Sequence, residues 1–224
     1  MTFRRILVAL DGSKRSERAL PWVRLLAKDQ DLVLLRVIEQ DYALDVYAGA
    51  ALPDLLSEVE RYLHRVASEF EVRPRLVARV GSVSSTIAEV ARECKAELIA
   101  LTTHGSSELT RWIFGGTAEK LARASDTPLL VVPSWEEIGS APKIDKVAFS
   151  DASDSAAAMA LRFEAPAVAV RGDLLQSASQ EQADLLIAPT RPRRWWKADE
   201  TRSLLRAASI PILLVRGAPI PAAA

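Results

Sequence analysis

The residues whose types and spacing suggest chemistry lie between Leu98 and Val132. Leu98–Leu101 is a short apolar run, the pattern of a fully buried strand. It ends in Thr102-Thr103-His104-Gly105, a turn at the carboxyl end of that strand. Nine residues come next, Ser106–Phe114, and Gly115-Gly116-Thr117 then opens a helical pattern that runs to about Ser125. Pro128 begins a second apolar run, Leu129–Val132. Backbone N–H groups at a helix N-terminus have no partner inside the helix, and the helix dipole favours negative charge there. A phosphate is the natural guest of such a turn. The same glycines are also explained if they only permit tight turns and the helix start packs in the ordinary way, and these residues by themselves leave both readings open.

The elements before this stretch must position it. Ile6–Leu10 reads as a buried strand followed by Asp11-Gly12-Ser13, with Asp11 or Ser13 capping a helix over Ser16–Lys28. Ala19, Leu20, Val23 and Leu26 give that helix its apolar stripe. Leu32–Ile38 is a second strand, Glu39–Pro53 a long loop, Leu55–Phe70 a helix and Arg75–Arg79 a third strand. Val83–Cys94 is a helix with Ser84 or Ser85 as its cap. Such strand–helix alternation predicts an α/β fold, an open parallel five-stranded sheet with helices on both faces. Ligands of these sheets sit outside the carboxyl ends of the strands. Asp11, Val37 and Thr102 all fall at such ends, and they converge with Gly115–Thr117 if the first and fourth strands are neighbours.

Composition narrows the function classes. The 224 residues are 49% hydrophobic and 26% charged, enough for a packed core. Lysine plus arginine equals aspartate plus glutamate, 29 each, so charge makes no case for nucleic-acid or membrane-surface binding. One cysteine, Cys94, excludes an internal disulfide and fits a reducing compartment, and with two histidines it makes a zinc site an unpromising reading. A strand pattern begins at the N-terminus without a leader pattern, and no apolar run approaches a membrane span, so the expected location is cytoplasmic.

Ser134–Lys143 reads as a linker, and the residues after it resemble a shortened copy of the first part. Val147–Phe149 with Ser150-Asp151-Ala152-Ser153 echoes the first strand and Asp11-Gly12-Ser13. Ala183–Thr190 echoes Ala96–Thr103, and Pro211–Val215 echoes Pro128–Val132. Asp11 to Ala96 spans 85 residues and Asp151 to Ala183 only 32, so the copy is 53 residues shorter, room for one strand and one helix with their loops. Chance likeness among apolar strands is the competing explanation. Where the glycine loop would recur the copy has Thr190-Arg191-Pro192-Arg193-Arg194-Trp195-Trp196-Lys197, with no glycine, so backbone cradling of phosphate is not expected there. That segment is either a contact for a protein or nucleic-acid partner or a solvated loop with a packed aromatic.

Taken together, ILVALDGS, Val37-Ile38-Glu39 and the stretch from Thr103 to Pro133 resemble the universal stress protein family over the first 133 residues. The whole chain resembles a tandem of such domains, complete over 1–133, linked by 134–143 to a truncated, degenerate copy over 144–217 and ending in a tail, 218–224. The resemblance implies a Rossmann-like, adenine nucleotide alpha-hydrolase-like fold and a site for an adenine nucleotide, ATP with Mg2+. ATP-binding members carry Gly-x-x-Gly, nine residues, then Gly-Ser or Gly-Thr. Here Thr102 replaces the first glycine, and Gly116 displaces the hydroxyl residue by one, to Thr117. The implied binding residues are Ala9, Asp11, Val37, Thr102, His104, Gly105, Gly115, Gly116 and Thr117, with Asp11 near the ribose and the backbone of Val37 reading the adenine edge. Asp11 alternatively only caps the first helix. His104 contacts phosphate or hydrogen-bonds its own loop, and no acid or nucleophile is paired with it. The loop lacks the Gly-Lys-Ser/Thr of a P-loop, which favours holding a nucleotide over hydrolysing it fast and argues against an enzyme. In the family, fifth strands pair across a dimer; here Leu129–Val132 and Ile212–Val215 are placed to pair within one chain, a pseudo-dimer, beside or instead of a homodimer. The rival reading is a nucleotide-free protein-interaction module in which the partial motif is a relic.

Overall fold

A computed structural model of the chain describes residues 3–39, 52–103, 116–134, 141–190 and 198–217. Most of the expected loop Glu39–Pro53 and the segment Arg191–Lys197 lie outside the described residues. In chain order the first group of elements is β1 (Phe3–Leu10), α1 (Ala19–Leu26), β2 (Ala27–Ile38), α2 (Leu52–Ala67), β3 (Arg75–Val80), α3 (Val83–Glu93), β4 (Leu98–Thr102), α4 (Gly116–Ala124) and β5 (Leu129–Val132). The second group is β6 (Val147–Ser150), α5 (Asp154–Ala160), β7 (Ala167–Val170), α6 (Leu174–Gln180), β8 (Leu185–Thr190), α7 (Ala198–Ala207) and β9 (Ile212–Arg216).

The strands form one nine-stranded sheet in the order β3-β2-β1-β4-β5-β9-β8-β6-β7. Every pairing is parallel except β5 with β9, which run antiparallel with Leu130 opposite Leu213. This is the intrachain pairing expected of Leu129–Val132 and Ile212–Val215. The buried runs LLVV of β5 and ILLV of β9 have no polar face because helices cover both sides of the seam.

Alternation along the strands divides two cores. Ile6, Val8, Leu34 and Leu130 pack with Leu20 and Val23 of α1 and Leu63 and Val66 of α2. Leu7, Leu35, Ile99 and Val131 face the other way, against Ile87 and Val90 of α3 and Leu121 of α4. In the second group α5 joins the first core through Ala156 and Ala160, while α6 and α7 join the second through Ala178 and Leu205. Each fully buried Leu or Ile contributes about 1.5–3 kcal/mol relative to leaving it in water.

The order β9-β8-β6-β7 mirrors β5-β4-β1-β2. Among the described residues, nothing in the second group stands where α2 and β3 stand in the first. The chain there passes from β7 through α6, on the same face as α3, directly to β8.

Local boundaries differ from expectation in three places. The first helix ends at Leu26, and β2 already starts at Ala27, five residues before Leu32. Pairing with β1 sets this: Phe3 lies opposite Ala27 and Arg5 opposite Asp31, and the Arg5 Nε donates to Asp31 Oδ2 at 2.8 Å. Tertiary pairing here overrides the polar, helix-compatible Lys28–Asp31. Neither Asp11 nor Ser13 caps α1, which follows a 3-10 turn over Ser16–Arg18. Helix α3 begins at Val83 behind Ser82, so Ser84 and Ser85 lie inside its first turn rather than capping it.

Candidate functional site

Strands β2, β1 and β4 are adjacent, and their carboxyl ends lie side by side. Leu10 is opposite Arg36, and Val8 is opposite Ala100, which brings Asp11 level with Val37 on one side and with the end of β4 on the other. Ala9 and Val37 point to the α3–α4 face, where Ala9 is partly buried and Val37 buried. Thr102 is buried at the end of β4 opposite Val132. The next residue, Thr103, donates from its N–H to the Val132 carbonyl at 3.0 Å, and its Oγ1 accepts from the Ser134 N–H at 3.2 Å. So the strand end carrying the threonine that stands for a glycine is held against β5.

The turn after β1 is built by its own side chains. Asp11 Oδ1 accepts from the Ser13 N–H at 2.9 Å and from the Ser13 hydroxyl at 2.6 Å. Ser13 Oγ in turn accepts from the Ser16 N–H at 3.2 Å. The Ser16 hydroxyl donates to the Ser13 carbonyl at 2.8 Å and accepts from the Asp11 N–H at 3.3 Å. Gly12 takes φ +87°, and a Cβ there would lie 3.6 Å from Nε and Nη2 of Arg36. That distance is ordinary contact, so a side chain at this point is strained by the backbone conformation alone. One oxygen of Asp11 is thus fully used within the turn. The other, Oδ2, is buried and has no hydrogen-bond partner among the described residues. A buried acceptor without a partner is costly, about 1–3 kcal/mol or more for a charged group, which marks it as a place where a ligand donor fits.

Beside this turn lies a polar cluster that joins the 3-10 turn before α1 to α2. Glu17 is buried; Arg65 of α2 bonds its carboxylate and Lys14 Nζ lies 2.9 Å from Oε2. Burial pushes the Glu17 carboxyl up, but the bonds from Arg65 and Lys14 outweigh it and hold it below its ordinary value. Tyr62 stands 3.5 Å from Ser16 Oγ, whose own proton is spent on Ser13, so the phenol is the donor. Burial is the largest cause that pushes Tyr62 up to about 12; the charges of Glu17 and Asp11 add to it and Arg65 opposes it. It is a neutral donor near the turn, not a base.

Helix α4 opens at Gly116, and Gly116 and Thr117 are half-buried at its first turn. Their N–H groups belong to the first turn, which has no intrahelical acceptors. His104, Gly105 and Gly115 lie outside the described residues. Within one turn of Gly116, Glu119 is 2% exposed and takes Arg123 of its own helix and Arg202 of α7, whose Nε lies 3.1 Å from Oε2. Of the expected binding residues the structure therefore sets Ala9, Asp11, Val37 and Thr102 on three adjacent strand ends, and Gly116 and Thr117 at a helix start. Sequence reasoning took Ser13 for a helix cap and passed over Ser16 and Tyr62 as supports, and Arg36 as a neighbour of Gly12. The last had a signal, being the single charged residue inside the apolar run LVLLRVI.

The universal stress protein family model matches residues 2–133. The chain belongs to the universal stress protein family. A universal stress protein of Synechocystis is 29% identical over 138 residues, spanning 58% of this chain and 86% of that one. One of Methanocaldococcus jannaschii is 27% identical over 143 residues, 58% and 82% of the two chains. A universal stress protein structure from Archaeoglobus fulgidus is similar over 95% of this chain and 96% of its own, with TM-score 0.68 at 14% identity, a likeness of fold. This universal stress protein has a parallel-dominated α/β sheet of the same Rossmann-like kind. Among its described residues, no group of His, Cys, Asp and Glu is disposed to hold a metal ion, and no helix is long and apolar enough to cross a membrane.

The second group of this universal stress protein treats its own aspartate differently. Ser153 Oγ accepts from the Ala156 N–H at 3.2 Å, as Ser13 does from Ser16. Asp151, however, is ion-paired through Oδ2 to Nε of Arg171. Ser150 lies opposite Val170, so Arg171 follows β7 where Val37 continues β2 beside Asp11.

Proposed function

We propose that this universal stress protein is a tandem whose first domain, residues 1–133, holds an adenine nucleotide, ATP with Mg2+, without hydrolysing it fast. Residues 134–143 link it to a shortened second domain, 144–217, which has lost the site, and 218–224 form a tail. The protein works in the cytoplasm as a regulatory or stress-response protein rather than as an enzyme. The β5–β9 seam makes the chain its own pseudo-dimer.

The observation that carries the binding reading is Oδ2 of Asp11 at the carboxyl end of β1, buried and without a hydrogen-bond partner among the described residues. A ribose hydroxyl is the donor it takes. The helix start at Gly116-Thr117 supports an anion, and Val37 offers backbone at the neighbouring strand end for an adenine edge. The contrast with Asp151, whose carboxylate is ion-paired to Arg171, supports restricting the site to the first domain. No lysine follows Gly116 as a P-loop requires, which supports holding over turnover.

The test is calorimetric titration with ATP and Mg2+, with a thermal melt at millimolar nucleotide. The expected result is one site per chain and a raised melting temperature. Absence of both heat and stabilisation rejects the site and leaves the nucleotide-free interaction module.

A further inference from the structure

The first turn of α4 contains a carboxylate where an anion site should avoid one. Glu119 is the fourth residue of the helix that starts at Gly116, and it is 2% exposed. A negative charge one turn from a phosphate cradle repels the guest, and burial removes the water that would screen it. Two cations answer it. Arg123 comes from the same helix, four residues on. Arg202 comes from α7, 83 residues away in the second group, with Nε 3.1 Å from Oε2.

We infer that Arg202 is a positioning and charge-neutralising residue for the nucleotide site, supplied to the first domain by the second. The inference rests on the proposed binding of ATP by residues 1–133. It gives the second domain a task although its own site is lost: α7 docks on α4 and makes the first turn of α4 electrostatically fit for phosphate. Asp126, which follows α4, is likewise ion-paired to Arg216 of β9, so the second group grips both ends of this helical segment. Arg202 itself touches no ligand; it acts through Glu119.

The test compares full-length wild type, Arg202→Gln, and the double variant Glu119→Gln with Arg202→Gln, titrated with Mg-ATP and separately with adenosine. Removing one of the two positive charges on Glu119, about one helical turn from the phosphates, weakens a multiply charged ligand roughly three- to tenfold. We expect Arg202→Gln to lose that much affinity for Mg-ATP, with adenosine unchanged. The double variant, with an uncharged pair, should return to the wild-type affinity. The loss should also shrink as salt is raised. Equal ATP affinity in wild type and Arg202→Gln overturns the inference and leaves the binding reading standing. A loss shared by adenosine, or not recovered in the double variant, shows a packing role and also overturns it. Failure of the wild type to bind ATP removes the binding reading itself, and this inference with it.

Discussion

Arg171 closes on Asp151 through Nε and Oδ2, whereas Asp11 in the first group keeps one carboxylate oxygen, Oδ2, buried and without a hydrogen-bond partner among the described residues. The two aspartates follow equivalent strands and precede equivalent serines, Ser13 and Ser153, each of which accepts an N–H three residues on. One oxygen of Asp11 is committed to its turn, so only the second can serve a ligand. At Asp151 that option is spent within the chain. The Arg171 side chain is 86% exposed, so its pair contributes little to stability and matters through the oxygen it occupies.

Replacing Asp11 by Asn keeps an acceptor for Ser13 and removes the charge from Oδ2. Nucleotide affinity should fall about tenfold, the difference between a charged and a neutral hydrogen bond. The melting temperature of the free protein should hold or rise, because a buried, unpartnered charged oxygen is lost. Calorimetry and a thermal melt read the two effects separately, and unchanged affinity removes Asp11 from the site.

Gly12→Ala forces a side chain onto φ +87°, in ordinary contact with the Arg36 guanidinium. The expected cost is about 1–2 kcal/mol in denaturant unfolding. Gly172 is also at positive φ, but nothing stands within 4 Å of the position a Cβ would take there. Gly172→Ala should therefore carry a similar conformational cost. An unchanged unfolding midpoint in Gly12→Ala contradicts the conformational strain expected there.

The Glu17 carboxyl is held below its ordinary value of 4.5, so the folded state binds its proton less readily than the unfolded chain. Its stabilisation is therefore complete above that value and is lost as pH falls through the lower folded one. Glu17→Gln should cost about 1–3 kcal/mol at neutral pH, and the gap to wild type should close on acidification. Denaturant melts across that range measure it; a gap independent of pH counts against the ion cluster with Arg65 and Lys14.

A fragment of residues 1–133 uncovers β5, whose LLVV run is buried against β9 in the full chain. An exposed apolar edge strand recruits another strand. Sedimentation should show the fragment self-associating while the full chain keeps that edge filled, and a monodisperse monomeric fragment contradicts the expectation.

Much of the architecture was legible in local pattern. ILVAL, LVLLRVI and LIALT announce buried parallel strands, and the short spacing from Asp151 to Ala183 announces a missing strand and helix. Among the described residues the second group has no counterpart of α2 and β3, and its α6 packs on the α3 face. The early start of β2 at Ala27 was not legible, since Lys28–Asp31 is made extended by its neighbour and not by its own preference. At the site, Asp11, Val37 and Thr102 were legible as strand ends, whereas Tyr62 near Ser16 depends on how α2 lies across α1.

The sequence by itself determined the alternation of strands and helices and the residues that end each strand, because burial pattern and turn chemistry act over a few neighbours. Only the tertiary structure decided that one oxygen of Asp11 is spent and the other left, that Arg171 reaches Asp151, and that Arg202 reaches Glu119 across 83 residues. Those partnerships depend on distances between elements far apart in the chain, and packing around a shared sheet is what sets such distances.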